Sequence, residues 1–326
     1  MSTLITGGMG ALGSAVARNL SEKGETPILY DLIEDYTLIS DIKKKVKFVE
    51  ANILDIEKLI VTVKEYGVDT IIHTVAVLSK ADPKISIEVN TRSTENVLWA
   101  AKECKVNKVV YTSSKGVFGE IAGKHLAPDY EPINEDYTKD RPMGVYGVTK
   151  FYGEGLGYQF RKLYGINFIS LRFSTIYGPG RLLKNPNSPM VLPCRIIENA
   201  MLGKPFSWPK GGDQQDDYIY YDDVAEGTVL AATVKNTPSD VYLIGTGVGS
   251  TLKDFAAAAK KQFPAFQAEI GPGLDHAGSG FIFYSVYDIS KAKKELKYTP
   301  QCDVETGVAR YIEAMKRLNI PPTFVP

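Results

Sequence analysis

Leu4-Ile5-Thr6-Gly7-Gly8-Met9-Gly10-Ala11-Leu12-Gly13 is the stretch that decides the fold. A short apolar run breaks into a glycine cluster, and Ala11–Lys23 then repeats apolar residues at helical spacing. Glycines at 7, 10 and 13 sit where a strand turns into a helix. A tight turn there needs a residue free to take positive φ, a diphosphate needs backbone without Cβ close by, and the helix start offers unpaired N–H groups to an anion. The stretch therefore predicts a dinucleotide phosphate loop contacted through Gly7, Gly10, Ala11, Leu12 and Gly13. Asp31 ends the second expected strand, eighteen positions after Gly13. Its carboxylate can accept both hydroxyls of the adenosine ribose and repels a 2′-phosphate, so NAD is expected rather than NADP. Lys43-Lys44-Lys45 reads as a solvated turn.

Outward from this loop, short β-branched runs alternate with long helical segments, the pattern of βαβ units on a parallel sheet. Strands are expected at Thr3–Thr6, Pro27–Tyr30, Lys47–Glu50, Thr70–Thr74, Lys108–Thr112 and Asn167–Arg172. Helices are expected at Ala11–Lys23, Ile56–Tyr66, Pro83–Cys104 and Val145–Tyr164, each long enough for a right-handed crossover. From Ile176 onward Pro, Gly and Asn crowd the chain and the alternation is interrupted. Asp222–Val234 and Val241–Gly245 read as a helix and strand returning to the sheet, Leu252–Phe263 and Val304–Arg317 as surface helices. The expected fold class is α/β, a Rossmann-like doubly wound parallel sheet with a smaller, discontinuous C-terminal lobe. Residues 1–175 and 217–247 would form the nucleotide-binding domain, residues 176–216 and 248–326 the substrate lobe.

Composition narrows the partners. Lys and Arg number 38, as do Asp and Glu, so no net field attracts nucleic acid or an anionic membrane, and a small-molecule substrate is favoured. Cys104, Cys194 and Cys302 form no CxxC pair, which suits a reducing cytoplasm and suggests neither a disulfide framework nor a thiolate metal site. Met1-Ser2 runs straight into the first strand, and no apolar run is long enough to span a bilayer. A cytoplasmic protein is expected. His125 and His276 sit in polar segments without a partner at ligand spacing, and no metal is expected; His73, ending an apolar strand, reads as a satisfied core histidine.

In Tyr146-Gly147-Val148-Thr149-Lys150 the phenol and the amine are four apart and share a helix face. A tyrosine of ordinary pKa, about 10, is a poor base at neutral pH; bringing it to about 7 takes roughly 4 kcal/mol of phenolate stabilisation, which a neighbouring ammonium helps supply. Lys150, together with the positive nicotinamide ring of the oxidised cofactor, is thus expected to lower the pKa of Tyr146, and also to bond the nicotinamide ribose. The third member should be a hydroxyl in Thr112-Ser113-Ser114, just past a strand's carboxyl end where such sheets bind ligands. Ser114 is the choice for holding the substrate oxygen, and Thr112 is assigned to the cofactor side.

With these residues in hand the chain resembles an extended short-chain dehydrogenase/reductase of the NAD-dependent epimerase/dehydratase family along nearly its whole length. Asn52-Ile53 resembles that family's adenine-contacting pair, and His73-Thr74-Val75-Ala76 its loop beneath the cofactor. Asn90 to Asn96 is similar to its asparagine-containing helix segment, and Leu171 to Gly180 and Tyr218 to Val224 to its later blocks. The resemblance implies Asn52, Ile53, Val75, Ala76 and Asn90 as cofactor contacts, Ser114, Tyr146 and Lys150 as catalytic residues, and a homodimer through the helices at Pro83–Cys104 and Val145–Tyr164. Family members acting on nucleotide-diphosphate sugars usually carry an arginine where this chain has Asp216, and an asparagine around Thr175. No arginine lies between Arg195 and Arg310, and a carboxylate at 216 would oppose a pyrophosphate, although Arg181, Lys184 or Lys210 could compensate. Lys115, Thr175, Lys184 and Asp216 are expected to face the substrate.

The leading expectation is an NAD-dependent oxidoreductase acting on a secondary alcohol or ketone of a small substrate without a diphosphate. The alternative is a sugar or nucleotide-sugar epimerase or dehydratase that recycles its NAD; a third reading is a non-catalytic sensor that keeps the fold. Trp208, Tyr218, Tyr220 and Tyr221 either line a pocket or pack two lobes together. Gly119–Met143 is either a lid or a plain surface excursion.

Overall fold

The computed structural model describes residues 2–78, 82–137, 141–184, 186 and 188–325, apart from the side chain of Lys184. The first half alternates as expected: β1 (Thr3–Thr6), α1 (Ala11–Glu22), β2 (Ile28–Asp31), β3 (Lys47–Glu50), α2 (Ile56–Glu65), β4 (Thr70–His73), α3 (Pro83–Cys104), β5 (Lys108–Ser114), α4 (Gly144–Tyr164) and β6 (Asn167–Phe173). There follow β7 (Thr175–Tyr177), α5 (Arg181–Lys184), α6 (Leu192–Met201), β8 (Phe206–Trp208), β9 (Asp216–Tyr220), α7 (Tyr221–Thr233) and β10 (Val241–Ile244). β11 (Gly249–Ser250), α8 (Leu252–Gln262), β12 (Ala268–Ile270), α9 (Ser290–Glu295) and α10 (Val304–Arg317) complete the chain.

Seven strands form one sheet in the order β3-β2-β1-β4-β5-β6-β10, every neighbouring pair parallel. Both faces are covered, α1 packing with α7 and α3 with α2 and α4. Strands buried on both sides read as continuous apolar runs, as in Ile71 and Ile72 or Val109 and Val110, all at most 1 % exposed. The order reverses between β1 and β4, so a crevice opens over their carboxyl ends, above the glycine loop.

Local chemistry fixes the long helices. Asp82 caps α3 by accepting from Lys84 N at 2.8 Å, Pro83 takes its first turn, and Lys105 at φ 56° ends it. Gly165, at φ 72°, ends α4. β5 runs two residues beyond the expected Thr112 because β6 pairs with it as far as Ser114, opposite Phe173. That extension carries Ser113 and Ser114 to the rim of the crevice.

A second sheet, β11-β9-β7, stands apart from the first, so Asp216–Tyr220 pairs with Thr175–Tyr177 rather than with the seven-stranded sheet. The helices read as surface elements each bury one face: Leu252, Phe255 and Ala259 of α8 and Val308, Tyr311 and Met315 of α10 join a second apolar cluster. Tyr218 and Tyr220 pack there too, Tyr218 edge-on to Phe255 at 5.1 Å, which favours packing over pocket lining for these aromatics. The excursion after Gly119 is strapped down: Ile121 N donates to Ile282 O at 2.7 Å, and Ile133 exchanges bonds with Val286 and Asp288 at 2.9 and 2.7 Å. Over its described residues it is not a free lid.

Candidate active site

The glycine loop is built for close approach. A Cβ on Gly13 would stand 2.3 Å from Gly7 O, and Gly7 itself has φ 72°. Gly10 caps α1 without a side-chain hydrogen bond, and no acidic residue occupies the first turn, so the helix start keeps its N–H groups for an anion. Asp31 is pinned at the end of β2, its carboxylate accepting from Met9 N at 2.9 Å and Leu32 N at 2.8 Å. An uncapped helix start beside a fixed carboxylate is the donor and acceptor pair that the diphosphate and ribose of NAD require.

The flanking residues shape the crevice through their neighbours. Thr74 Oγ1 donates to Thr6 O and Gly7 O, setting the chain that leads into Val75 and Ala76. Asn90 bonds Val77 in both directions, at 2.7 and 3.0 Å, and Thr149 Oγ1 at 3.1 Å, so its amide is spent holding that loop to α4. Asn52 turns its chain through Leu54 N at 2.9 Å, and Asn96 fixes Ile53 O at 2.9 Å. Thr112 donates to His73 O at 2.9 Å. His73 lies within 2.7 Å of Thr6 Oγ1 and 3.3 Å of Ser93 Oγ, and burial lowers its pKa to about 3: a neutral core histidine.

Ser114, Tyr146 and Lys150 come together at the carboxyl end of β5. α4 can approach because Gly147 faces Gly116, where a Cβ would stand 2.4 Å from Gly116 O. Ser114 and Tyr146 border the same cavity, where the Ser114 hydroxyl favours the phenolate, and Gly116 N donates to Ser114 Oγ at 3.2 Å. Lys150 is 2 % exposed, its Nζ 4.8 Å from the Tyr111 ring centre and 5.7 Å from that of Tyr146. Burial lowers its pKa to about 7, against the opposing charge of Glu154. In the chain by itself the pKa of Tyr146 lies above its ordinary value, whereas the expected lowering counts on the oxidised nicotinamide as well as Lys150. Burial dominates, and the groups that oppose it are Arg181 and Ser114. Arg181 was foreseen only as a spare cation for a phosphate, and nothing local placed it beside Tyr146; it arrives through the Gly178-Pro179-Gly180 turn after β7.

A cavity of about 370 Å³ opens over these residues, bordered by Ser114, Lys115, Tyr146, Thr175, Arg181 and Phe283 among others. Three of the expected substrate residues form one knot at its edge. Lys115 Nζ lies 2.6 Å from Asp216 Oδ1 and 3.0 Å from Thr175 Oγ1, and Thr175 donates to Asp216 Oδ2 at 2.5 Å. Asp216 is wholly buried and takes two more bonds, from Asp217 N at 3.1 Å and Ser285 N at 3.0 Å. The expectation that Asp216 would repel a pyrophosphate therefore loses its footing, because Lys115 cancels the charge. The fourth, Lys184, has its side chain outside the described residues.

The sequence profile of the NAD dependent epimerase/dehydratase family matches residues 3–245. The chain belongs to that family. It is accordingly an NAD-dependent enzyme of the extended short-chain dehydrogenase/reductase type. UDP-glucuronate 4-epimerase of Thermodesulfobacterium geofontis is 26% identical over 335 residues, covering 96% of this chain and 95% of the relative. A crystal structure of UDP-glucuronic acid 4-epimerase from Bacillus cereus, in complex with UDP-glucuronic acid and NAD, superposes with a TM-score of 0.76 at 25% identity, over 98% of this chain and 100% of the other. L-Threonine dehydrogenase from Phytophthora infestans shares the fold, with a TM-score of 0.81 at 24% identity over 97% and 99%. Among the described residues no helix is long and apolar enough to cross a membrane.

Proposed function

We propose that this family member is an epimerase that oxidises a secondary alcohol carbon of an anionic sugar derivative and then reduces it again, the cofactor being recycled within one turnover. NAD, when bound, accepts and returns the hydride. Tyr146 takes the hydroxyl proton and gives it back, Ser114 holds the oxygen as charge develops, and Lys150 supplies positive charge beneath the phenol. Arg181 borders the same cavity, where it attracts an anionic substituent and favours the phenolate form of Tyr146. The observation that carries this reading is the convergence of Ser114, Tyr146 and Arg181 on one cavity, with Lys150 one turn further along α4, its Nζ 5.7 Å from the Tyr146 ring centre. Support for a sugar acid comes from the full-length relative that acts as a UDP-glucuronate 4-epimerase. The neutralised Asp216 removes the main objection to a nucleotide sugar.

A second reading, net dehydrogenation of a small hydroxy acid, is favoured by one observation. The ammonium of Lys115 is already committed to Asp216, which leaves Arg181 as the principal described cation for a single carboxylate. Protein purified without added cofactor and incubated with UDP-glucuronate separates the two. The epimerase reading expects released NAD from the denatured protein, the C4 epimer as product and no net NADH. Net NADH with UDP-glucuronate or small hydroxy acids would overturn it.

We infer a homodimer through α3 and α4. Exposed Val148, Phe151, Tyr152 and Tyr158, with open space at Gly155, recur along α4 at spacings of three and four and leave an apolar stripe. Trp99 of α3 is exposed as well. Residues 1–175 and 217–247 are proposed as the cofactor domain, with the rest of the chain closing the substrate side.

A further inference from the structure

The floor beneath Lys150 holds a charge network that the proton transfer above does not use. Glu154 follows Lys150 by one helical turn on the same face of α4, and it too is buried, at 6 % exposure. Its carboxylate is fixed. Arg172 donates from Nε at 2.9 Å and from its terminal nitrogen at 2.7 Å, and Ser170 Oγ donates at 3.1 Å. Arg172 is itself held by Glu135 O at 2.9 Å and lies over the Phe118 ring at 4.9 Å. Glu135 bonds Leu243 N at 3.0 Å and faces Lys291 at 3.4 Å.

The groups turned toward Lys150 can be named element by element. Tyr146 and Glu154 come from its own helix, Tyr111 from β5 and His73 from β4, where burial keeps the imidazole neutral. Behind them α3 contributes Asn90, which bonds Thr149, and Ser93 and Thr94, which lie against His73; none of the three carries a charge. Among the described residues, Glu154 is the carboxylate in that set.

A buried ammonium tends to shed its proton, and a neutral lysine cannot stabilise a phenolate. The Glu154 carboxylate one turn away opposes that loss, less than a lone charge would because Arg172 is paired with it. The fork of Arg172 keeps the carboxylate in place, so that it acts on Lys150 through space without swinging into the site.

We propose that Glu154, held by Arg172 and Ser170, is a positioning residue that keeps the Lys150 ammonium charged and so sets the pH at which Tyr146 takes a proton. This rests on the reading of Ser114, Tyr146 and Lys150 given above. The test is the tyrosinate absorbance of the NAD-loaded protein, titrated from neutral to alkaline pH, with the Tyr146→Phe protein subtracted to isolate that one phenol. In Glu154→Gln the midpoint should rise by about one pH unit, about tenfold less phenolate at a given pH below it, while NAD affinity stays near wild type. Glu154→Asp should bring the midpoint back toward wild type. Glu154→Gln also strips a buried Arg172 of its partner, so the double variant Glu154→Gln/Arg172→Met removes both charges and should show a smaller rise in the same direction. An unchanged midpoint in Glu154→Gln or in the double variant, whichever folds and binds NAD, overturns the proposal. A raised midpoint in a protein whose wild type turns over no sugar would leave the role of Glu154 standing and overturn the epimerase reading instead.

Discussion

The glycine-loop side and the cavity side of this enzyme reach their geometry by different routes. On the first, residues close in sequence do most of the work: Gly7, Gly10 and Gly13 sit within one turn and a helix start, and Asp31 ends the next strand. On the second, the partners are far apart in the chain. Lys115 meets Asp216 across 101 positions, and Thr175 meets Asp216 across 41. A local site follows from backbone preference, while a distant one depends on strand pairing and, for Lys115 and Asp216, on how two sheets are set against each other. Cofactor binding and substrate chemistry should therefore fail separately when residues on the two sides are changed.

The largest expected effect breaks that comparison at its seam, where α4 serves both sides. Tyr146→Phe removes the proton-transfer group without touching the glycine loop or Asp31. Turnover should fall by about a hundredfold to ten-thousandfold, while NAD affinity measured by titration calorimetry stays near wild type. Activity retained at wild-type level would remove Tyr146 from the mechanism. Parallel loss of NAD binding would show that the two sides do not separate.

The next effect concerns stability and tests whether the cavity edge is a true buried pair. Lys115 and Asp216 have side-chain exposures of 10% and 0%, against 47% and 24% for the surface pair Lys210 and Asp275. Lys115→Met strands a buried carboxylate and should cost about 3–5 kcal/mol, whereas Lys210→Met should cost less than about 1 kcal/mol. Denaturant midpoints of the two variants give the contrast directly. Similar small losses in both would mean that solvent reaches Asp216 and that its charge bears on the substrate after all.

This difference also explains what the sequence revealed. α3 and α10 have the expected bounds because capping groups such as Asp82 and Asp303 mark them locally. The parallel sheet followed from apolar runs of the right length, and Ser114, Tyr146 and Lys150 from spacing and position past a strand. The pairing of Lys115 with Asp216 and the approach of Arg181 to Tyr146 had no such signal. Asp216 was read as an unpaired charge because its partner lies on another sheet's rim. Acidification of Tyr146 is expected from Lys150 and the nicotinamide ring together, and burial, a property of the whole packed site that spacing does not show, works against it. Glu154 was the legible omission, since an acid four residues after Lys150, on the same face of α4, stood in plain view.

The smallest effect on the folded chain, and the one that extends the comparison beyond a single subunit, is expected at Phe151. Its ring is 53% exposed in the middle of the α4 stripe, so a charge there meets water in an isolated chain and should change stability by no more than about 0.5 kcal/mol. In a pair of chains joined through α3 and α4 the same Phe151→Glu change buries two like charges at the interface, and the pair should separate. Sedimentation at micromolar protein should then show one-chain mass for the variant and two-chain mass for wild type. Because α4 also carries Tyr146 and Lys150, a change in turnover on separation would make the stripe part of what holds the site rigid; unchanged turnover would confine it to assembly. A wild type that already sediments as one chain would end the dimer reading and leave the apolar stripe of α4 without a partner.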